Sequence, residues 1–376
     1  MSQIAHTTDK PYLVSLRLVS NSFKTAVTPL AFSCIILHPS LRSAKALSFL
    51  QTCDASITSA IHRLNFEGGK WRSSAVNPPK DALVAAFSGL FSFPKLLSMN
   101  LHFDLWFEIP TEDALHASYP LCLQCAILGA ISSHPPPSLI FLNIHGMVPL
   151  PGLDVVRMNS HKLLRILMIS FRYNFATRQE VETGAEAALD RQLDQFWHES
   201  LSQILRAAPN ISSLTLREDH DAKPGWYARM PEIPALKNLT DISLTGFLFP
   251  TPVMTALNHE THNILGFILL HKATLTHLKL DRCAILMHSD ELGAWPLLWH
   301  VVLRRFMDEL VLLKEFTFTG VECPSAGHRR DPRLSYRYVS HGEGTKCCDK
   351  PLAGEGWDIG VLEELLAAVE ARRAKT

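Results

Sequence analysis

Residues 275–285 read LTHLKLDRCAI, and this stretch decides the predicted fold. Leu275, Leu278 and Leu280 stand at positions one, four and six of the stretch, and Cys283 stands at position nine. Alternate residues of a β-strand point to opposite faces of a sheet, so Leu278 and Leu280 share one face. The pattern therefore predicts a short strand with one buried side, followed by a turn near Cys283.

The first half of this pattern, with apolar residues at positions one, four and six, recurs along the chain. Its copies occupy residues 61–66, 96–101, 139–144, 164–169, 211–216, 239–244, 275–280 and 313–318. Segments with helical periodicity lie between several copies, and in residues 186–207 the apolar side chains form one stripe at three-to-four spacing. A repeated strand, turn and helix is the unit of a leucine-rich-repeat horseshoe.

The predicted fold class is α/β, in the form of a leucine-rich-repeat-like solenoid. Its sheet is expected to be curved and mostly parallel, with helices on the convex side and a small helical segment at the N-terminus. The interval between copies varies from 25 to 47 residues, whereas regular families keep about 20–29 residues per repeat. The array is therefore degenerate, with long helical insertions, and a non-repeat α/β domain is the alternative.

Bulk composition excludes several classes of partner and location. The chain of 376 residues has 36 Lys+Arg and 36 Asp+Glu, so its zero net charge gives no electrostatic footprint for nucleic acid or an anionic membrane. No run approaches the roughly 20 apolar residues of a membrane span. The eight cysteines have no framework spacing, which is typical of a reducing compartment. We expect a cytoplasmic or nuclear protein that binds neither nucleic acid nor membrane.

Catalytic and metal-binding motifs are missing or incomplete. There is no phosphate-binding glycine loop and no nucleophile elbow. His259 and His262 flank a glutamate but are one residue too close for the helical zinc-protease motif. Cys122 and Cys125 lie in an apolar helical stretch, which favours small core side chains over a redox pair. Cysteines and histidines in residues 323–348 follow no known closed zinc spacing. The sequence predicts a protein that is not an enzyme and has no cofactor or metal.

Residues 13–37 read LVSLRLVSNSFKTAVTPLAFSCIIL. This stretch resembles the second half of an F-box, in which a helix of the form L-x-x-L-R-x-V-S-x-x-F precedes Pro-Leu-Phe-type residues. The matching residues are Leu16, Leu18, Val19, Phe23, Pro29, Leu30 and Phe32. Residues 267–286 are similar to the repeat of fungal F-box proteins with leucine-rich repeats, and residues 356–370 are similar to the ends of such chains.

The resemblance implies a substrate-recognition adaptor of an SCF-type ubiquitin ligase. The seven matching residues would dock on the Skp-type linker subunit, and the repeats would hold an unknown client protein. A full F-box begins with a Leu-Pro element and a first amphipathic helix, whereas only residues 1–11 precede the matched helix here. The alternative is a repeat-type protein-binding scaffold without a ligase link, in which residues 13–27 form a helix packed on the first repeat.

These observations predict that the chain has four parts. Residues 1–50 form a truncated F-box-like helical segment, and residues 51–320 form the degenerate leucine-rich-repeat-like domain. Residues 321–360, rich in proline and glycine, form a loop or tail. Residues 361–376 form a C-terminal helix, which would cap the exposed end of an unclosed array.

Strand alternation also predicts which side chains face a partner. Residues between the inward apolar positions point outward, and most of them are polar. The third and fourth copies are exceptions, because they place large apolar residues outward beside polar ones, as protein-binding sites do. The predicted client-binding residues are Phe141, Asn143, His145, Ile166 and Met168. The alternative is that residues 171–200 fold over the three apolar members of this set and bury them.

Overall fold

The repeated apolar pattern forms strands in the computed structural model of the chain. The structure describes residues 20–68, 79–103, 119–148, 164–171, 196–218, 226–227, 235–249, 263–288, 298–320, 338–342, 344–347 and 355–375. The chain divides into two compact units, unit 1 with Met1–Val148 and Leu153–Leu167, and unit 2 with Pro149–Gly152 and Met168–Thr376.

Unit 1 contains a sheet whose strands follow one another in chain order. The strands are β1 (Cys34–Leu37), β2 (Arg63–Glu67), β3 (Ser98–His102), β4 (Phe141–Met147) and the start of β5 (Ile166–Phe171), which ends in unit 2. From β1 to β4 the strands are parallel, and equivalent pattern positions pair: Leu64 with Met99, and Met99 with Leu142. Each paired leucine or methionine is buried, so the repeated apolar positions form a continuous core under the sheet.

The helices of unit 1 lie between these strands in the sequence. They are α1 (Asn21–Phe32), α2 (Leu41–Gln51), α3 (Ala55–Thr58), α4 (Lys80–Ser88) and α5 (Tyr119–Ser133), with a 3₁₀ turn at Leu90–Ser92. Ser40 caps α2 by accepting a hydrogen bond from the Ser43 N–H, and Asp54 caps α3 in the same way. Helix α4 packs against both α2 and α5. Successive strands and successive helices therefore pack side by side.

Unit 2 repeats this arrangement and adds a second sheet. Its remaining strands are β6 (Ser213–Glu218), β7 (Trp226–Tyr227), β8 (Asp241–Thr245), β9 (Phe247–Phe249), β10 (His277–Asp281), β11 (Ala284–His288), β12 (Glu315–Thr319), β13 (Tyr338–Gly342) and β14 (Gly344–Cys347). Its helices are a π-helical turn at Phe196–Leu201, α6 (Ser202–Ala207), α7 (Ile264–Leu270), α8 (Trp299–Glu309) and α9 (Glu355–Arg373).

In unit 2 the chain passes from one sheet directly into the other after β8 and again after β10. One sheet has the order β5-β6-β8-β10-β12, with β6 to β12 parallel, and the other has the order β7-β9-β11-β13-β14, with only β13 and β14 antiparallel. The break after β8 is at Gly246 (φ 81°) and the break after β10 is at Arg282 (φ 50°). This left-handed backbone turns the chain out of the first sheet, and it suits glycine best.

The α/β class and the mostly parallel strand pairing are confirmed, while two features differ from the expectation. The predicted helical N-terminal segment contains a strand, β1, which joins the edge of the sheet of unit 1. The second sheet was not predicted, and two of its strands, β13 and β14, lie in the stretch expected to be a loop or tail. Within the described ranges, no helix combines the length and the apolar character needed to cross a membrane.

A buried histidine in unit 2 should make stability depend on pH. His271 Nδ1 lies 2.9 Å from the Phe267 carbonyl oxygen, and its Nε2 accepts the Leu236 N–H at 3.0 Å. The ring is therefore neutral, with its proton on Nδ1, and burial lowers the pKa of His271 below its ordinary value of 6.5. Because the folded-state pKa is depressed, the stabilising contribution is present above about pH 6.5 and is lost as the pH falls below it.

We therefore expect the melting temperature to fall between about pH 7.5 and about pH 5, in part through His271. His271→Gln can accept the same N–H without titrating, so its melting temperature should vary less over this range. Parallel pH profiles for the two proteins would contradict this assignment.

Candidate functional site

The candidate site is the outer face of the sheet of unit 1, where the side chains alternate with the buried ones. We call this set the outer face. It consists of Cys34, Ile36, Arg63, Asn65, Glu67, Ser98, Asn100, His102, Phe141, Asn143, His145 and Ile166. All of these side chains are half-buried or exposed, whereas their chain neighbours Leu64, Met99 and Leu142 are buried. In-register pairing aligns the outer face in rows across the strands.

The middle row is a ladder of asparagine amides. Asn143 Nδ2 donates to Asn100 Oδ1 at 3.2 Å, and Asn100 Nδ2 donates to Asn65 Oδ1 at 2.8 Å. Asn65 Nδ2 in turn lies 3.7 Å from Cys34 Sγ, which accepts the last hydrogen bond. Hydrogen bonds in such a chain polarise one another. Each amide uses one of its two N–H groups in the ladder, so the other N–H can bind a partner.

The row at the carboxyl ends of the strands is rich in histidine. The rings of His102 and His145 lie edge to face, with centroids 5.4 Å apart. Glu67, beside His102, has its Oε2 3.8 Å from Nδ1 of His38. Both members of this pair are more than half exposed, so the pair contributes little to stability. Among the residues that the structure places, no three histidine, cysteine or acidic side chains form a metal-binding group.

At the opposite end of the outer face the apolar side chains are Phe141 and Ile166, and the row of Phe141 also contains Arg63 and Ser98. Phe141 and Ile166 are half-buried on β4 and β5, and the Ile166 N–H donates to the Ile140 carbonyl at 3.0 Å. Leu97 and Ile140, the residues just before β3 and β4, are 39% and 38% exposed. We call Phe141 and Ile166 the apolar end. Phe141 precedes Asn143 by two residues on β4, so its side chain is on the same face, in the row next to the asparagine ladder. Apolar side chains next to amide groups that have a further N–H to donate are suited to binding another protein rather than a small charged substrate.

No protein-family model matches the chain, and no curated protein matches it. The function must therefore be inferred from the sequence and from this geometry.

The predicted client-binding residues are divided between the units. Phe141, Asn143, His145 and Ile166 lie together on the outer face of unit 1. Met168 is also half-buried, two residues beyond Ile166 on β5, but belongs to unit 2. Residues 172–195, most of the insertion that was considered as a cover, lie outside the described residues. Phe171 and Phe196, which flank residues 172–195, are buried with ring centroids 5.7 Å apart.

The predicted linker-docking residues are only partly described. Leu16, Leu18 and Val19 lie outside the described residues, and Phe23 lies in α1, with its side chain outside the description. Pro29 is exposed in the same helix. Leu30 and Phe32 are half-buried because they pack against the buried Val27 and Ala31. Two of the seven residues are therefore used in the packing of the chain itself.

Cysteine chemistry gives no alternative site in the described part of the chain. Cys122 and Cys125 lie on α5, form no disulfide and are half-buried. Cys283, at the turn after β10, is fully buried, and burial raises the pKa of its thiol to about 12. A thiol with this pKa stays protonated at neutral pH and is unreactive. His259, His262 and the tail cysteine Cys323 lie outside the described residues.

The sequence reasoning missed the asparagine ladder as a unit. Asn65, Asn100 and Asn143 all occupy position five of their pattern copies, between two inward apolar residues. Because parallel pairing aligns equivalent positions, an identical polar residue in three successive copies forms a row. Aligning the pattern copies and comparing the residues at each position would have revealed this row of asparagines.

Proposed function

We propose that this chain is a protein-interaction module that holds a client protein on the outer face. The observation that carries the proposal is the apolar end beside the asparagine ladder. Apolar anchors next to polar groups that still offer hydrogen bonds are typical of the energetic centre of a protein interface. In this account the chain works without a cofactor, in the cytoplasm or the nucleus, and its partners are proteins rather than nucleic acid or membrane.

The architecture in this proposal is a degenerate leucine-rich-repeat-like solenoid. Support comes from the strands β2, β3 and β4, which arise from copies of one pattern and pair in parallel and in register. Further support comes from the packing of α4 between α2 and α5, as expected for repeated strand–helix units. Solenoids present such a row of strands to their partners.

The more specific proposal is a substrate-recognition adaptor of an SCF-type ubiquitin ligase, of the fungal F-box type. The motif in residues 13–37 supports it, because Leu18 and Phe23 match the F-box form that docks on a Skp-type linker subunit. One observation favours the alternative scaffold without a ligase link. Leu30 and Phe32 pack within the chain itself, which leaves fewer apolar side chains for docking.

A pull-down of the full chain with a purified Skp-type linker subunit separates the two forms of the proposal. For the adaptor we expect the wild type to retain the linker and Leu18→Asp/Phe23→Asp to lose it by at least about 30-fold, because a hot-spot substitution costs about 2 kcal/mol or more. A control with the same added charge is Asn21→Asp/Thr25→Asp, since both residues are exposed on α1. No retention by the wild type would contradict the adaptor and leave the scaffold.

A further inference from the structure

The first turn of α8 is capped by groups from elsewhere in unit 2. The residue before the helix, Leu298, makes no side-chain cap of its own. Instead the His300 N–H donates to Asp358 Oδ1 of α9 at 2.7 Å, and the Trp299 N–H donates to the Tyr338 hydroxyl at 2.8 Å. Tyr338 in turn donates to Asp358 Oδ2 at 2.7 Å. The otherwise unsatisfied N–H groups of α8 therefore depend on the fully buried carboxylate of Asp358.

The last turn of α8 is capped from the other end of α9. Arg372 Nη1 donates to the Leu310 carbonyl at 2.9 Å, and Nη2 donates to the Met307 carbonyl at 2.7 Å. A carboxylate at the N-terminus of a helix and a guanidinium at its C-terminus both complement the helix dipole. Helix α9 thus runs parallel to α8 and holds both of its ends by charge. The exposed Arg304–Glu364 pair, 2.7 Å apart between the helices, adds little.

Helix α9 also packs on the strand at the end of the sheet. β12 is the last strand in the sheet order of unit 2, and α9 packs against both α8 and β12. Leu362, Leu365 and Val369 are buried on the inner side of α9. An edge strand presents unpaired N–H and C=O groups that can pair with a strand of another chain, and a covering helix is one way to prevent this.

We propose that α9 covers the edge strand β12 and is held in place by Asp358 and Arg372 at the two ends of α8. We call α9 in this role the latch. Release of the latch exposes β12 to pairing with a second copy of this chain. The device is independent of the client site on the outer face, because it lies wholly in unit 2.

The test compares the full chain carrying Asp358→Asn/Arg372→Met with a control, Glu363→Gln/Lys375→Met. The control removes the same two charge types from exposed positions, Glu363 on α9 and Lys375 just after its end. Hydrogen exchange should accelerate in α9 on the order of 10- to 100-fold in the latch variant, because charge-assisted hydrogen bonds to a buried group are lost. Light scattering should show self-association at least about 10-fold tighter than in wild type. The control should match wild type in both measurements.

Two results would overturn the proposal. Exchange in α9 equal to that of the control would show that the charges do not lock the helix. Fast exchange in α9 with unchanged self-association would show that β12 is not guarded by it. Loss of exchange protection in β10 as well would show that the double variant unfolds beyond α9. In that case Arg372→Met alone is measured by the same two criteria, because it leaves the buried Asp358 network intact.

Discussion

Replacing Trp299 with alanine is expected to lower the free energy of unfolding by about 3–5 kcal/mol. Trp299 is fully buried at the start of α8, and its ring centroid lies 4.9 Å from that of Phe249 and 4.8 Å from that of Phe318. The three rings come from α8, β9 and β12, so the indole fills the space between a helix and strands of both sheets of unit 2. Truncation leaves a cavity that these elements cannot easily fill.

The measurement is thermal unfolding of the full chain, where a loss of this size should lower the melting temperature by about 10 °C. Trp357→Ala is a matched control, because Trp357 is 69% exposed on α9 and makes an edge contact with His300. Its removal should change stability by less than about 1 kcal/mol. Equal losses for the two tryptophans would mean that the packing described around Trp299 is incorrect.

The second large effect is expected on client binding. Phe141→Ser/Ile166→Ser should weaken capture of the client at least about 30-fold, since truncating hot-spot residues costs about 2 kcal/mol or more. The stability of the variant should fall less than that of Leu142→Ala. Leu142 lies next to Phe141 but is buried, so its truncation should cost about 2–5 kcal/mol. The comparison separates loss of binding from loss of folding.

Two outcomes would contradict the binding role of the apolar end. One is a loss of stability in Phe141→Ser/Ile166→Ser as large as that in Leu142→Ala, which would make these residues part of the core. The other is unchanged capture with unchanged stability. Met168→Ser is made as a separate variant, because Met168 belongs to unit 2.

The strands were predictable because their signal is local. All eight pattern copies coincide with strands, β2 to β6, β8, β10 and β12, since a half-buried strand needs only alternate apolar residues within a short stretch. β1 has four residues and also follows the pattern, with Phe32, Ile35 and Leu37 at positions one, four and six, but its stretch was assigned to the F-box-like helical segment. It pairs in parallel with β2. The strands of the second sheet have two to five residues, and two of them, β9 and β11, begin after the turns at Gly246 and Arg282. Periodicity cannot detect such turns.

The candidate site was predictable only in part, for a related reason. The alternation of side chains along a strand predicted that four residues would lie outside the core: Phe141, Asn143, His145 and Ile166. The face on which a side chain lies depends only on its neighbours in sequence. The asparagine ladder depends on register between strands, with 35 residues between Asn65 and Asn100. The latch depends on contacts over longer separations still, 58 residues from His300 to Asp358 and 65 from Met307 to Arg372. Only the folded chain brings these groups together.

The central claim, that a client protein sits on the outer face, is tested most directly by photo-crosslinking. A photoreactive amino acid is placed at Asn100, in the middle of the ladder, and in a separate protein at Lys45, an exposed position on α2. After irradiation in extract, the account predicts a discrete adduct from position 100 that is absent from position 45. It also predicts that Phe141→Ser/Ile166→Ser abolishes this adduct. Equal adducts from both positions, or an adduct from position 100 that survives the double substitution, would contradict the claim.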